Sequence, residues 1–238
     1  MLDIHCHLLP DVDDGAQSLE EACMMARIAM DGGTNAIVVT PHWNVPDHDD
    51  TLGCEYFLKQ FKSLSDAFLL QKIPLKLLMG MEVFATDDVA FKIESGSALM
   101  INASRYILLE FFMNDHPLRV NGILDEVMHL GLIPVIAHPE RYAFVQHELD
   151  IAYCWKRKGC LLQINKGSLL GAFGRRIQKT ACDMLSLKLA HVVASDAHSP
   201  YQRTPNLFDA YEYISDHFSR SYADDLMQHA PLQIISNQ

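Results

Sequence analysis

Apolar residues run along this chain in two alternating rhythms. Short β-branched runs such as Ala36-Ile37-Val38-Val39 and Val135-Ile136-Ala137 are apolar without interruption, as strands buried on both faces must be. Between them lie longer stretches whose apolar positions recur every three or four residues, as at Phe57, Phe61, Leu64 and Phe68, which is one face of a helix. The pattern predicts seven strands, over residues 1–5, 36–40, 75–81, 105–110, 132–137, 160–165 and 190–195. The first helix is predicted to open at Ser18, where Glu21 completes a capping box. It places Leu19, Ala22, Cys23, Ala26 and Met30 on one face and stops at Gly32-Gly33. Further helices are predicted around 57–68 and over 118–130, 149–158, 174–187 and 205–218. Strands alternating with helices in this way form βα units around a parallel sheet, closed as a barrel or curled open.

The polar residues favour the barrel. The first predicted strand ends in His5-Cys6-His7, the second in Thr40-Pro41-His42 and the third in Gly80-Met81-Glu82. The fourth ends in Leu109-Glu110, the fifth in Ala137-His138-Pro139 and the seventh in Ser195-Asp196-Ala197-His198. Only the sixth, ending in Gln163-Ile164-Asn165, carries amides instead. In a parallel barrel all strand C-termini open on one face, where active sites are built. Six strands therefore bring histidine or carboxylate to one mouth. Side chains alternate along a strand, so His5 and His7 point one way and Cys6 the other; two neutral imidazoles so placed grip one cation. The metal ligands expected from this pattern are His5, His7, His42, Glu82, Glu110, His138, Asp196 and His198. Imidazole with carboxylate and no thiolate suits manganese, iron or zinc better than magnesium or calcium.

Composition narrows the partners. Hydrophobic residues make up 49% and charged residues 21%, an ordinary globular balance. A net charge of −11, from 30 acidic against 19 basic residues, argues against nucleic acid and anionic lipid. No apolar run reaches the roughly 18 residues of a membrane span. The opening MLDIHCHLLP has no basic region ahead of an apolar stretch, so neither membrane insertion nor a secretory leader is expected. The six scattered cysteines then read as reduced thiols in the cytoplasm. None begins a C-x5-R nucleophile motif: the residues six positions on are Val12, Ala29, Gln60, Cys160, Lys166 and Lys188. Gly167-Ser168-Leu169-Leu170-Gly171 is a turn into a helix and not a phosphate loop, because it lacks the Lys-Ser/Thr ending. The histidines at 116, 129, 147, 191, 217 and 229 lie outside the motifs and are expected on helices or the surface. Glu140 is expected to orient its loop. An acidic chain that handles an anion needs a local source of positive charge, which bound cations provide.

Seven segments in order carry a family resemblance: DIHCHLLPDVDDGAQSLEEA, VVTPHWN, GMEVF, LLEF, IAHPERY, LQINKGSLLG and SDAHSPYQRTPNL. Through them the sequence resembles the polymerase and histidinol phosphatase (PHP) superfamily. Within it, the likeness is to bacterial manganese-dependent tyrosine-protein phosphatases of capsule and exopolysaccharide gene clusters. It runs nearly end to end, which implies one domain over residues 1–238 and a distorted seven-stranded barrel. The resemblance also implies three divalent metal ions, manganese foremost with iron or zinc as alternatives, and adds Asp14 of the VDDG turn to the eight ligands above. Arg141 in HPER and Arg203 in QRTP match positions that hold the phosphoryl group. Trp43 departs from the family pattern, where a second histidine is common after TPH, and LLEFFMND replaces a Pro-containing stretch.

Five imidazoles and four carboxylates contribute −4. Three divalent ions leave the site at about +2, which a phosphate monoester of about −1.5 to −2 neutralises. The expected chemistry is hydrolysis of phosphotyrosine by a metal-activated water, with Arg141 and Arg203 on the phosphoryl oxygens and His42 or His198 as proton donor. The implied partner is the phosphotyrosine tail of a bacterial tyrosine autokinase controlling polysaccharide export. The alternative is a small-molecule phosphatase of the histidinol-phosphate type. A barrel that binds metal without catalysis, and an amidohydrolase, fit the motifs less well.

Overall fold

The capping box at Ser18 forms: its Oγ accepts the Glu21 N–H at 3.2 Å, while the Glu21 carboxylate reaches back to the Gln17 N–H at 3.0 Å. The computed structural model describes residues 1–46 and 53–236. Along them run β1 (Leu2–Cys6), α1 (Leu19–Asp31), β2 (Ala36–Val39), β3 (His42–Trp43), α2 (Cys54–Leu70), β4 (Lys76–Met79) and β5 (Glu82–Phe84). Next come α3 (Val89–Glu94), β6 (Tyr106–Glu110), α4 (Pro117–His129), β7 (Ile133–Ala137), α5 (Ala143–His147), α6 (Asp150–Lys158) and β8 (Leu161–Asn165). The chain continues through α7 (Lys166–Leu169), α8 (Arg175–Ser186), β9 (Val192–Ala194), α9 (Phe208–His217), α10 (Arg220–Asp224) and α11 (Ala230–Ser236).

All strand pairs are parallel, in the orders β1-β2-β4 and β3-β5-β6-β7-β8-β9. The nine strands are the seven expected ones with two of them interrupted. The second breaks at Thr40-Pro41, where proline has no N–H for the ladder, and the third at Gly80-Met81. Hydrogen bonds from Gly80 N–H to Val39 O (2.9 Å) and Glu82 N–H to Pro41 O (3.0 Å) carry the pairing across both breaks. The chain beyond β9 returns to β1: Cys6 bridges Ala197, and Asp196 N–H donates to His5 O at 2.9 Å. That closes a distorted barrel.

Two cores flank the strands. Leu2, Ile4, Val38, Leu78, Leu108, Val135 and Ala194 fill the inside, joined by Ile234 and Ile235 of α11. This last helix lies beyond the elements predicted from the sequence. Cys6, Ile37, Val39, Val83 and Leu109 face the surrounding helices. In β1 the pairing with β2 slips between Asp3↔Ile37 and Cys6↔Val39, three residues against two. This bulge lets Leu2 and Ile4 face inward and still turns His5 and His7 inward after them.

Candidate metal centre

The barrel brings all nine expected ligands to one mouth. His5 and His7 come from the end of β1, Asp14 from the loop after it, and Glu110 from the end of β6. His138 directly follows β7, and Asp196 and His198 follow β9. His42 and Glu82 do not end their strands; each begins the segment after a break. The break therefore turns an ordinary strand interior into a place where a ligand can point inward. His138 (φ 36°), Asp196 (φ 50°) and Arg203 (φ 49°) hold left-handed backbone, which costs a non-glycine residue about 1 kcal/mol or more.

Three overlapping groups of donor atoms result: His7, Asp14, His42 and His198; His5, His7, Glu82 and Asp196; and His42, Glu82 and Glu110. His138 Nε2 joins the last at 3.0 Å from Glu82 Oε1 and 3.5 Å from Glu110 Oε1. The donors suit a cation better than they suit one another. Glu82 Oε2 faces His5 Nε2, His7 Nε2 and His42 Nδ1 at 3.1, 3.2 and 3.1 Å. Yet among the described residues this fully buried oxygen makes no hydrogen bond, and neither does His42 Nδ1. Buried polar atoms are rarely left so, and lone pairs converging on one point are what a metal ion satisfies.

Outer contacts aim the ligands. Asp13 Oδ2 takes the His7 Nδ1 proton at 2.8 Å and the His42 N–H at 2.9 Å, and its Oδ1 takes the Gly15 N–H at 2.9 Å. Gln163 Oε1 lies 2.8 Å from His5 Nδ1, and Gln163 Nε2 donates to Asn165 Oδ1 at 2.7 Å. Asn165 in turn donates its side-chain amide to Asp196 Oδ2, and its N–H to Glu140 Oε1 at 3.0 Å. His198 Nδ1 donates to Asp196 O at 3.0 Å. His5, His7 and His198 thus each have one nitrogen tied, which fixes the tautomer and presents the other to the cluster. Asp13 is not among the residues expected from the sequence, where its neighbour Asp14 is, and the amides of β8 stand there only as a strand end without histidine or carboxylate. The signal was there: Gln163 and Asn165 sit two apart, on the same face of a strand whose neighbours carry ligands.

The groups perturb one another strongly. Burial works against a charged His5, but the Glu82 and Asp196 carboxylates outweigh it and raise the imidazole to about 8. His7 is raised further, against burial, by Asp13 and Glu82. Burial and the charge of Glu82 lift Glu110 to about 8, while burial drops His138 to about 4. Cation binding to such a set displaces protons.

Arg203 Nη2 lies 2.6 Å and Arg141 Nη1 3.5 Å from Asp196 Oδ2, and Arg203 Nε is buried with no partner among the described residues. Both arginines and seven of the nine ligands, all but His5 and His7, line a cavity of about 640 Å³, together with the apolar side chains of Val12, Trp43, Val45, Phe57 and Phe84. Cys6 is wholly buried, and burial pushes its thiol well above the usual range, as its place outside the barrel lumen implies.

A parallel barrel with a histidine–carboxylate cluster at its C-terminal mouth defines an α/β-barrel protein whose donor groups could hold metal ions. Residues 1–236 match the family described as capsular polysaccharide synthesis, CpsB/CapC, and the chain belongs to that family. It is 36% identical to CapC of Staphylococcus aureus over 227 residues, 95% of this chain and 87% of that one. It is 32% identical to the tyrosine-protein phosphatase YwqE of Bacillus subtilis (strain 168), covering 100% of this chain and 92% of that one. A solved structure from work on YwqE of Bacillus subtilis and CpsB of Streptococcus pneumoniae, described as metal-dependent tyrosine phosphatases, matches with TM-score 0.93 at 31% identity. It covers 100% of this chain and 95% of that one. Among the described residues no helix is long and apolar enough to cross a membrane.

Proposed function

We propose that this chain is a metal-dependent tyrosine-protein phosphatase of capsular polysaccharide synthesis, with residues 1–238 acting as one catalytic domain. One observation carries the reading. One cavity is lined by cation ligands, two arginines and the apolar side chains of Val12, Trp43, Phe57 and Phe84, which suits a phosphate ester of an aromatic alcohol. The amino-alcohol chain of histidinol phosphate has no use for so apolar a face.

His5, His7, Asp14, His42, Glu82, Glu110, His138, Asp196 and His198 would hold the cations. The three overlapping groups fit three ions, and the mixed donor set fits manganese, with iron or zinc able to replace it. When bound, the ions supply Lewis acidity and an activated water for attack at phosphorus. Arg141 and Arg203 present planar forks to the phosphoryl oxygens and offset their charge. The P–O bond to tyrosine breaks as water oxygen bonds to phosphorus. The departing phenolate, with a pKa near 10, needs little protonation as it leaves. His42 Nε2 lies 3.4 Å from Asp14 Oδ1 and its Nδ1 lies 3.1 Å from Glu82 Oε2 with no hydrogen bond made there, and His198 ties one nitrogen to backbone, so the arrangement supports both as ligands more than as proton donors. The substrate is the phosphorylated tail of a cytoplasmic-side tyrosine autokinase, and the enzyme works in the cytoplasm where such a tail lies.

Hydrolysis of a phosphotyrosine peptide by the purified protein tests this. The expected result is activity lost to chelator and regained with manganese, and well above that on phosphoserine peptide or histidinol phosphate. Higher turnover of histidinol phosphate would overturn the tyrosine reading, and chelator-resistant activity would overturn the metal reading.

A further inference from the structure

The loop after β8 carries a side chain that the chemistry above does not use. α7 is followed by a turn over residues 170–174, in which Gly171 (φ +81°) and Gly174 (φ +94°) take left-handed backbone. Gln178 Nε2 ties the turn down by donating to Leu169 O at 3.0 Å. The turn sets the half-buried ring of Phe173 against both arginines of the cavity. The Arg141 guanidinium carbon lies 4.9 Å from the ring centroid and that of Arg203 lies 5.8 Å from it. Both are within the ~6 Å reach of a cation–π contact. Room for the ring comes from Gly167, where a Cβ would lie 3.0 Å from Phe173 Cε2 and 3.4 Å from Cζ.

Two arginines aimed at one anion repel each other and must be held before it arrives. Their shared carboxylate, Asp196, cannot be the whole answer, since its Oδ1 faces His5, His7 and His198 at 3.5–3.6 Å and belongs to a candidate ligand group. The Phe173 face is a second attraction common to both guanidinium groups and independent of Asp196. It is an attraction between charge and ring and occupies no hydrogen-bond acceptor, so it does not use up the guanidinium N–H donors. We propose that Phe173 is a positioning residue whose ring holds Arg141 and Arg203 in the orientation that receives the phosphoryl oxygens. The inference rests on the arginines being the phosphate grip.

The test uses the manganese-loaded enzyme, with orthophosphate as probe in calorimetry, alongside KM and kcat on a phosphotyrosine peptide. Phe173→Leu keeps apolar bulk and removes the π face; Phe173→Tyr keeps both. We expect Phe173→Leu to weaken orthophosphate binding about 5- to 30-fold, the combined effect of two such contacts. The same loss should fall on KM, with kcat kept within about threefold, and manganese content unchanged. Phe173→Tyr should stay within about twofold of wild type. Gly167→Ala, which pushes the ring without altering it, should weaken binding in the same direction. Arg141→Ala and Arg203→Ala are measured beside them. If these weaken orthophosphate binding and Phe173→Leu does not, the platform is refuted and the grip stands. If the arginine variants also bind as wild type, the grip itself has failed and the platform falls with it.

Discussion

Replacing Asp13 by asparagine should loosen the cations without touching a ligand. The Asp13 carboxylate accepts three hydrogen bonds: from His7 Nδ1 (2.8 Å) and the His42 N–H (2.9 Å) on Oδ2, and from the Gly15 N–H (2.9 Å) on Oδ1. An amide of the same shape has one acceptor oxygen. With its NH2 at the Oδ1 position it faces the Gly15 donor; at the Oδ2 position it faces two donors at once. Either way a buried donor is left unmet. The charge that holds His7 in one tautomer and makes its other nitrogen a better donor is also gone. The contacts tie together the strand end carrying His7, the turn carrying Asp14 and the first residue of β3, so one change disturbs the aim of three proposed ligands.

A lost hydrogen bond to a charged group is worth about 1.5–3 kcal/mol, or roughly 10- to 150-fold in affinity. Removal of a carboxylate behind a ligating histidine typically weakens metal binding about 10- to 100-fold. Both routes give the same size of effect. Manganese titration by calorimetry against a competing chelator would measure it, with Asp14→Ala as the comparison that removes a ligand outright. We expect Asp13→Asn to keep the metal stoichiometry and lose one to two orders of magnitude in affinity. Wild-type affinity in Asp13→Asn would refute the reasoning. Gly15→Ala should act the same way, since its Cβ would lie 2.3 Å from His7 O.

Two further outcomes concern the frame of the barrel. Ile234→Ala, in the inner core, should lower stability by about 2–4 kcal/mol through the cavity it leaves without changing manganese affinity; a loss below about 1 kcal/mol in denaturant melts would show that α11 does not seal the barrel. His191 is lowered to about 4 by burial and then by Lys156, and its Nδ1 accepts the Leu162 N–H at 3.0 Å. Because the folded value lies below the unfolded one, its contribution is complete above pH 6.5 and is lost as pH falls toward 4. Between pH 7 and 5 the wild type should lose about 2 kcal/mol more than His191→Asn, which keeps an acceptor there; parallel pH profiles would refute this.

The barrel was legible because its evidence is local. Continuous apolar runs mark strands buried on both faces, and a histidine or carboxylate at a strand end stands out against them. What stayed hidden depends on partners distant in sequence. Gln163 matters because it meets His5, 158 positions away; its spacing from Asn165 marks the strand face, but only the fold supplies the partner. Asp13 and Asp14 are the same residue type in one turn, yet one faces His7 and the other His42 and His198; only the path of the turn separates them. The bulge in β1 is similar. Strict alternation from Leu2 would have put His5 outside the barrel, and the residue that corrects the parity has no signature of its own. Phe173 lies just past the Gly167–Gly171 turn, and its neighbours in sequence do not show that its ring meets Arg141 and Arg203.

The acidity of the chain fits the same arrangement. Asp13, Asp14, Glu82, Glu110 and Asp196 line the mouth with Arg141 and Arg203, so in the form that binds cations, with every carboxylate ionised and every imidazole neutral, these residues leave three net negative charges. A unit charge on a phosphoryl group about 4 Å from one carboxylate meets roughly 4 kcal/mol of repulsion at an effective dielectric of about 20. Two arginines leaning on Asp196 cannot reverse that alone. On the proposed function their part would be direction and not attraction: with cations on the carboxylates the sign of the field would change, and the guanidinium edges would decide how the phosphate sits. The net charge of −11 and the binding of an anion would then be compatible, because capture would depend on the ions and orientation on the chain.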